Sequence, residues 1–140
     1  MITSRPLLLD TCAAVWIVGD QPIAGPSREA IQQARAAGEP VYVSPITAWE
    51  MGLLVSRGRI NLQMSADRWF SLLLEAPGLE LADMPPNVLI ASSFLPGSPL
   101  RDPADRILAA TAREFGYRIV TRDRPLLEYA ERGHIQALAC

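Results

Sequence analysis

The sequence predicts an α/β domain whose parallel sheet is covered by helices on both faces. Five short apolar runs of strand length alternate with longer stretches that carry helix start and stop signals. Most runs are apolar at successive rather than alternate positions, the pattern of parallel strands buried on both sides. In the clearest helical stretch, Ile107, Leu108, Ala110 and Thr111 share a stripe with Phe115 at helical spacing.

The elements follow in order. Leu7-Leu8-Leu9 is the first strand and ends at Asp10. Thr11 can cap a helix running to Ile17. Ser27 can cap Arg28 to Ala37, with Gly38 as the stop. Val41-Tyr42-Val43 leads into Ser44-Pro45, an N-cap followed by proline at the first helical position, and a helix from Ile46 to Arg57. Ser65 opens Ala66 to Glu75, and Leu79-Glu80-Leu81 is the next strand. Pro85-Pro86 opens a helix through Phe94, and Asp102-Pro103 opens one to Phe115, stopped by Gly116. Arg118 to Thr121 is a strand, Asp123 opens the last helix to about Arg132, and Ile135 to Leu138 is the last strand. The loops at 19–26 and 95–101 are rich in Gly and Pro but do not read as linkers, so residues 1–140 are expected to form one domain.

Composition narrows the chemistry. The 140 residues are 49% hydrophobic and 20% charged, which is globular, and no apolar run has the length of a membrane span. The start has no signal-peptide layout, and the two cysteines, Cys12 and Cys140, offer neither metal-ligand spacing nor a disulfide framework. A cytoplasmic location is the expectation. All 13 basic residues are arginine, so a P-loop or a Schiff-base lysine is excluded. His134 is the one histidine, which leaves little room for a Ser–His–Asp triad or a zinc site. Hydrolytic chemistry must then rest on carboxylates, hydroxyls and arginines. The net charge of −2 argues against a nucleic-acid ligand only until four of the 15 acids are set aside as metal ligands, which leaves 11 against 13 arginines.

In open α/β sheets ligands bind beyond the carboxyl ends of the strands. Asp10 and Asp123 sit at such ends, while Asp105 and Glu50 lie early in helices that start near the same edge. Four carboxylates from distant segments are thus expected to converge. Alone they would repel and take up protons; Mg²⁺ or Mn²⁺, which prefer oxygen ligands, resolves the repulsion. Taken singly, Asp10 and Asp123 could equally be helix caps, and Asp105 could be the N3 partner of the cap Asp102. Glu50 is different. Its helical neighbours Ile46, Leu53 and Leu54 are apolar, so a solvated face explains it poorly.

Four segments, Leu7-Leu8-Leu9-Asp10-Thr11, Thr47-Ala48-Trp49-Glu50-Met51, Arg101-Asp102-Pro103-Ala104-Asp105-Arg106-Ile107-Leu108-Ala109-Ala110 and Val120-Thr121-Arg122-Asp123, resemble in order the motifs of PIN-domain ribonucleases. They are most similar to the VapC-type toxins of toxin–antitoxin pairs. The resemblance implies a three-layer α/β/α sandwich and a Mg²⁺- or Mn²⁺-dependent endoribonuclease, with Asp10, Glu50, Asp105 and Asp123 as the metal-binding and catalytic acids. It further implies Thr121 as a supporting hydroxyl, an RNA substrate, a homodimer and an antitoxin protein as partner. Relatives often carry histidines before Arg-Asp-Pro, where this chain has Leu95 to Leu100 and none.

Arg106 and Arg122 adjoin two of the acids and could hold phosphates, or could orient a carboxylate through a salt bridge. Cys12 reads as a small core residue, His134 as a surface residue, and the three tryptophans with Leu53-Leu54-Val55 as core. Two rivals stand beside the nuclease. A phosphatase with a nucleophilic Asp10 would need a second Asp where Cys12 stands, and a lysine. A catalytically silent PIN-like module binding RNA or protein would not need all four acids.

Overall fold

The computed structural model describes residues 5–19, 23, 25–97 and 100–140. The loops at 19–26 and 95–101 therefore lie partly outside the described residues. Strands and helices alternate as β1 (Leu7–Leu9), α1 (Thr11–Val18), α2 (Gly25–Ala36), β2 (Val41–Val43), α3 (Pro45–Ser56), α4 (Ala66–Glu75), β3 (Leu79–Leu81), α5 (Pro86–Ala91), α6 (Pro103–Phe115), β4 (Arg118–Thr121), α7 (Arg124–Glu131) and β5 (Gln136–Ala139).

The five strands form one parallel sheet in the order β3-β2-β1-β4-β5. The chain winds outward from β1 to β3, then returns to the other side of β1 for β4 and β5. Neighbouring β1 and β4 thus send their following segments in different directions, which opens a crevice at their carboxyl ends. Leu7 and Leu9 face one core with Ala13, Ala14, Ile31, Trp69 and Leu73; Leu8 faces the other with Leu108, Ile119, Leu126 and Tyr129. Burial of β1 on both faces is why its three leucines run without a polar break. Together these layers make the expected α/β/α sandwich.

Several local expectations are corrected. Asp10, not Thr11, caps α1, accepting from the Ala13 N–H at 2.8 Å. Helix α2 starts at Gly25, so Ser27 lies within its first turn, where its hydroxyl donates to the Ala139 carbonyl at 2.6 Å. Helix α5 stops at Ala91 rather than Phe94, because Ser93 and Phe94 turn tightly back onto Ile90 and Ala91. Strand β5 is shifted by one residue towards the C-terminus. Trp49 is 50% exposed and Phe115 39%, so neither is core; Trp69 is, while Trp16 and Leu53 to Val55 are half-buried.

His134 is half-buried rather than on the surface. Its ring packs on Tyr129 at 4.7 Å, and the Tyr129 hydroxyl donates to the Pro96 carbonyl at 2.6 Å. A Cβ at Gly97, whose φ is +75°, would stand 2.5 Å from His134 Nε2. Gly116 has the same φ but open space around it. Gly97→Ala is therefore expected to cost about 2–3 kcal/mol and Gly116→Ala about 1–2, the difference being the clash. Denaturant melts of the two variants check this; equal losses would mean that His134 gives way freely.

Candidate active site at the sheet switch point

Asp10 leaves β1 and enters the crevice, where it is only 5% exposed. A buried carboxylate needs partners. Its Oδ1 accepts from the Ala13 N–H and its Oδ2 from the Thr121 hydroxyl at the end of β4. The Thr121 oxygen also accepts from the Asp123 N–H at 2.9 Å, so one hydroxyl ties the ends of β1 and β4 together. Burial raises the Asp10 pKa, with the nearby Asp123 charge adding to it; the two hydrogen bonds and Arg122 pull the other way.

Ser44 caps α3 with Pro45 behind it, as the sequence predicts, and Glu50 follows on the second turn. The Thr11 hydroxyl donates to Glu50 Oε1 at 2.5 Å and lies 3.2 Å from the Thr47 hydroxyl. Burial raises the Glu50 pKa, and the charges of Asp102, Asp10 and Asp123 add to it against the Thr11 bond. Thr11 is the contact that sequence reasoning missed. The sequence makes it a cap candidate, but with Asp10 taking that role its hydroxyl is free to hold Glu50.

Asp102 caps α6 through the Ala104 N–H at 3.1 Å, and Asp105 lies one turn on. Asp105 faces Asp123. The Asp105 pKa is pushed up to about 8, first by burial, then by the neighbouring Asp123 carboxyl, which favours the protonated form of Asp105, then by the charges of Asp102 and Glu50. Asp123 caps α7, accepting from the Leu126 N–H at 3.4 Å. Asp10 and Asp123 are thus caps and members of an acidic cluster at once.

Asp10, Glu50, Asp105 and Asp123 therefore act on one another electrostatically. Cys12 reports the same field from α1: it is exposed rather than core, and its thiol pKa is raised by burial of its inner side and by the charges of Asp10, Glu50 and Asp123. Among the described residues, no three acid, histidine or cysteine side chains stand close enough to grip one ion in this arrangement. None of the four acids has an arginine ion pair either, among the described residues; the one ion pair joins Arg124 to Glu128. Arg106 donates instead to the Leu100 carbonyl. Arg122 lies on the Trp16 ring, its Cζ 3.2 Å from the centroid, and its Nε donates to the Cys140 carbonyl at 3.4 Å. The salt-bridge reading of both arginines is therefore not what the structure has.

Residues 7–132 match the family model described as the PIN domain. The chain belongs to the PIN-domain family. Ribonuclease VapC22 of Mycobacterium tuberculosis is 33% identical to this PIN domain over 121 residues, which is 86% of this chain and 88% of that one. Within the family the chain therefore falls with the VapC group. Among solved structures, VapBC2 from Rickettsia felis bound to a promoter DNA fragment has a TM-score of 0.69 at 15% identity, covering 97% of this chain and 99% of its own. DNA-bound VapBC from Salmonella typhimurium has 0.64 at 20%, covering 97% and 98%. At those identities the two show the shared fold.

The four acids of this PIN domain offer only oxygen and are negative in sum, the chemistry that a hard divalent cation prefers, and burial together with their mutual repulsion raises the pKa of Asp10, Glu50 and Asp105.

Proposed function

We propose that this PIN domain is an endoribonuclease dependent on Mg²⁺ or Mn²⁺ and the toxin of a type II toxin–antitoxin pair, acting in the cytoplasm. The observation that carries the reading is the shared electrostatic field of Asp10, Glu50, Asp105 and Asp123 at the switch point, with no arginine ion-paired to any of them among the described residues. Those four acids would hold the cation and so act as the catalytic set. When bound, a divalent cation lowers the pKa of the attacking water and offsets the charge that grows on the phosphorane-like transition state and leaving oxygen.

The chain's own groups prepare for this. Thr121 and the Ala13 N–H fix both oxygens of Asp10, and Thr11 fixes Glu50. Asp105, whose carboxyl is otherwise kept protonated by burial and its acidic neighbours, would be favoured in its ionised form by a cation held there. Arg106 and Arg122 are the candidate phosphate contacts beside this set. An antitoxin partner is supported by the likeness to VapBC complexes. A homodimer is supported by exposed apolar side chains on and just after α5, where Leu89 is 39%, Ile90 64% and Phe94 80% exposed. No helix of the described residues is long and apolar enough to cross a membrane.

Incubating the purified protein with structured RNA should give cleavage with Mn²⁺ and none with excess EDTA. Undiminished cleavage in EDTA would sink the metal dependence, and intact RNA under both conditions the nuclease. Expression without the neighbouring antitoxin frame should arrest growth.

A further inference from the structure

Arg122 is flanked by Asp123 and lies close enough to Asp10 to lower its pKa, yet among the described residues it forms no ion pair with any acid. A mobile arginine beside an acidic cluster tends to settle on it. Here two contacts from different elements hold the guanidinium elsewhere. The indole of Trp16, on α1, covers one face at 3.2 Å, and the Cys140 carbonyl, just beyond β5, takes the Nε hydrogen at 3.4 Å. Strand alternation explains the placement: Thr121 points into the protein and is fully buried, so Arg122 projects the opposite way and stays exposed. Arg122 is exposed, and its Nη groups, which can match a phosphate in two-point fashion, donate to no described residue.

We propose that Trp16 and Arg122 form a phosphate-holding subsite for an RNA strand, Arg122 making the contact and Trp16 acting as the positioning residue that keeps the guanidinium off the acids. The inference rests on the nuclease reading above, in which Arg122 is a candidate phosphate contact, and adds Trp16 as the residue that positions it. The division of labour is chemical. An arginine collapsed onto Asp10 or Asp123 would compete with the cation for the same oxygens. Held on the indole, it supplies positive charge next to the acids for a phosphate neighbouring the one that is cut. Lysine would keep the charge but lose the flat stack and the two-point contact.

The test uses the full chain with a fluorescein-labelled single-stranded RNA, measuring cleavage kinetics in Mn²⁺ and binding against salt in Ca²⁺. Arg122→Gln should raise KM about tenfold, the scale of one charge-assisted hydrogen-bonded contact, with kcat within about threefold. Its binding should lose about 0.7 from the slope of log affinity against log salt, the share of one phosphate contact on a single strand. Trp16→Phe, with a weaker aromatic face but the charge intact, should raise KM by a smaller factor and keep the slope. Arg122→Lys should restore the slope but not KM. A stack that merely stabilises the fold would lower the melting temperature of Arg122→Gln and move neither KM nor the slope; that result overturns the proposal. Wild-type protein that neither binds nor cuts RNA would bring down the nuclease reading itself. Cleavage by wild type with an unaltered Arg122→Gln variant would bring down the subsite alone.

Discussion

Asp105→Asn is expected to remove RNA cleavage while the protein stays folded, with kcat falling by at least about 10²–10³-fold, the scale on which removing one charge-stabilising group acts. In the proposed site Asp105 would supply an oxygen donor whose negative charge an amide does not replace. Its neighbours offer no substitute, since Asp10 is fixed by Thr121 and Ala13, and Asp102 is spent on capping α6. The fold should survive because α6 keeps its Asp102 cap, its Pro103 and its left-handed Gly116 stop. Asp10→Asn should be equally inactive but less stable, because it weakens the acceptor for both Ala13 and Thr121. Cleavage rates beside circular dichroism separate the two effects. An Asp105→Asn variant with wild-type kcat would remove this carboxylate from the chemistry.

The second large effect is on stability against pH. The Asp105 pKa is about 8 in the folded chain against an ordinary 3.8. A raised value means that the folded state binds the proton more tightly than the unfolded state does. The stabilisation is therefore fully present below the unfolded value and is lost as pH rises through the folded one. Asp10 and Glu50 are shifted in the same direction. Metal-free protein should accordingly lose stability from roughly pH 4 to roughly pH 8. Across that range its melting temperature should fall by several degrees more than that of Asp105→Asn, about 3–6 °C for a domain of this size. At pH 8 without metal the amide variant should be the more stable of the two. Adding Mn²⁺ should reverse the order, since a bound cation favours the ionised carboxylates and stabilises only the chain that holds it. Melting curves with EDTA and with Mn²⁺ read this out. Parallel profiles for both proteins would place Asp105 outside a shared field.

Much of this was legible in residue order. The strands at Leu7–Leu9, Val41–Val43, Leu79–Leu81 and Arg118–Thr121 stand where the apolar runs predict them, and Ser44, Ser65, Asp102 and Asp123 cap the helices they precede. These are local effects, set by burial on both faces and by side chains meeting the first free N–H groups. What escaped was decided by partners far along the chain. Trp49 stands in an apolar stretch, yet its side of α3 is half-exposed, and periodicity does not say which face a neighbour covers. Asp10 and Thr11 are both good caps, and the choice between them was settled by Glu50, 39 residues on, claiming the threonine hydroxyl. The four acids were legible as candidates because Asp10 and Asp123 stand at strand ends, and Asp105 and Glu50 in the first two turns of helices that start at the same edge of a parallel sheet. The stack of Arg122 on Trp16 left no sequence signal, because it depends on how α1 packs against the end of β4.

The order of the strands carries one last consequence. The crevice draws Asp10 from the start of the chain and Asp123 from near its end, and a single threonine on β4 orients the first of them. A fragment lacking either β1 or β4 has only one wall of the crevice, so the acids come together only once β4 has paired with β1.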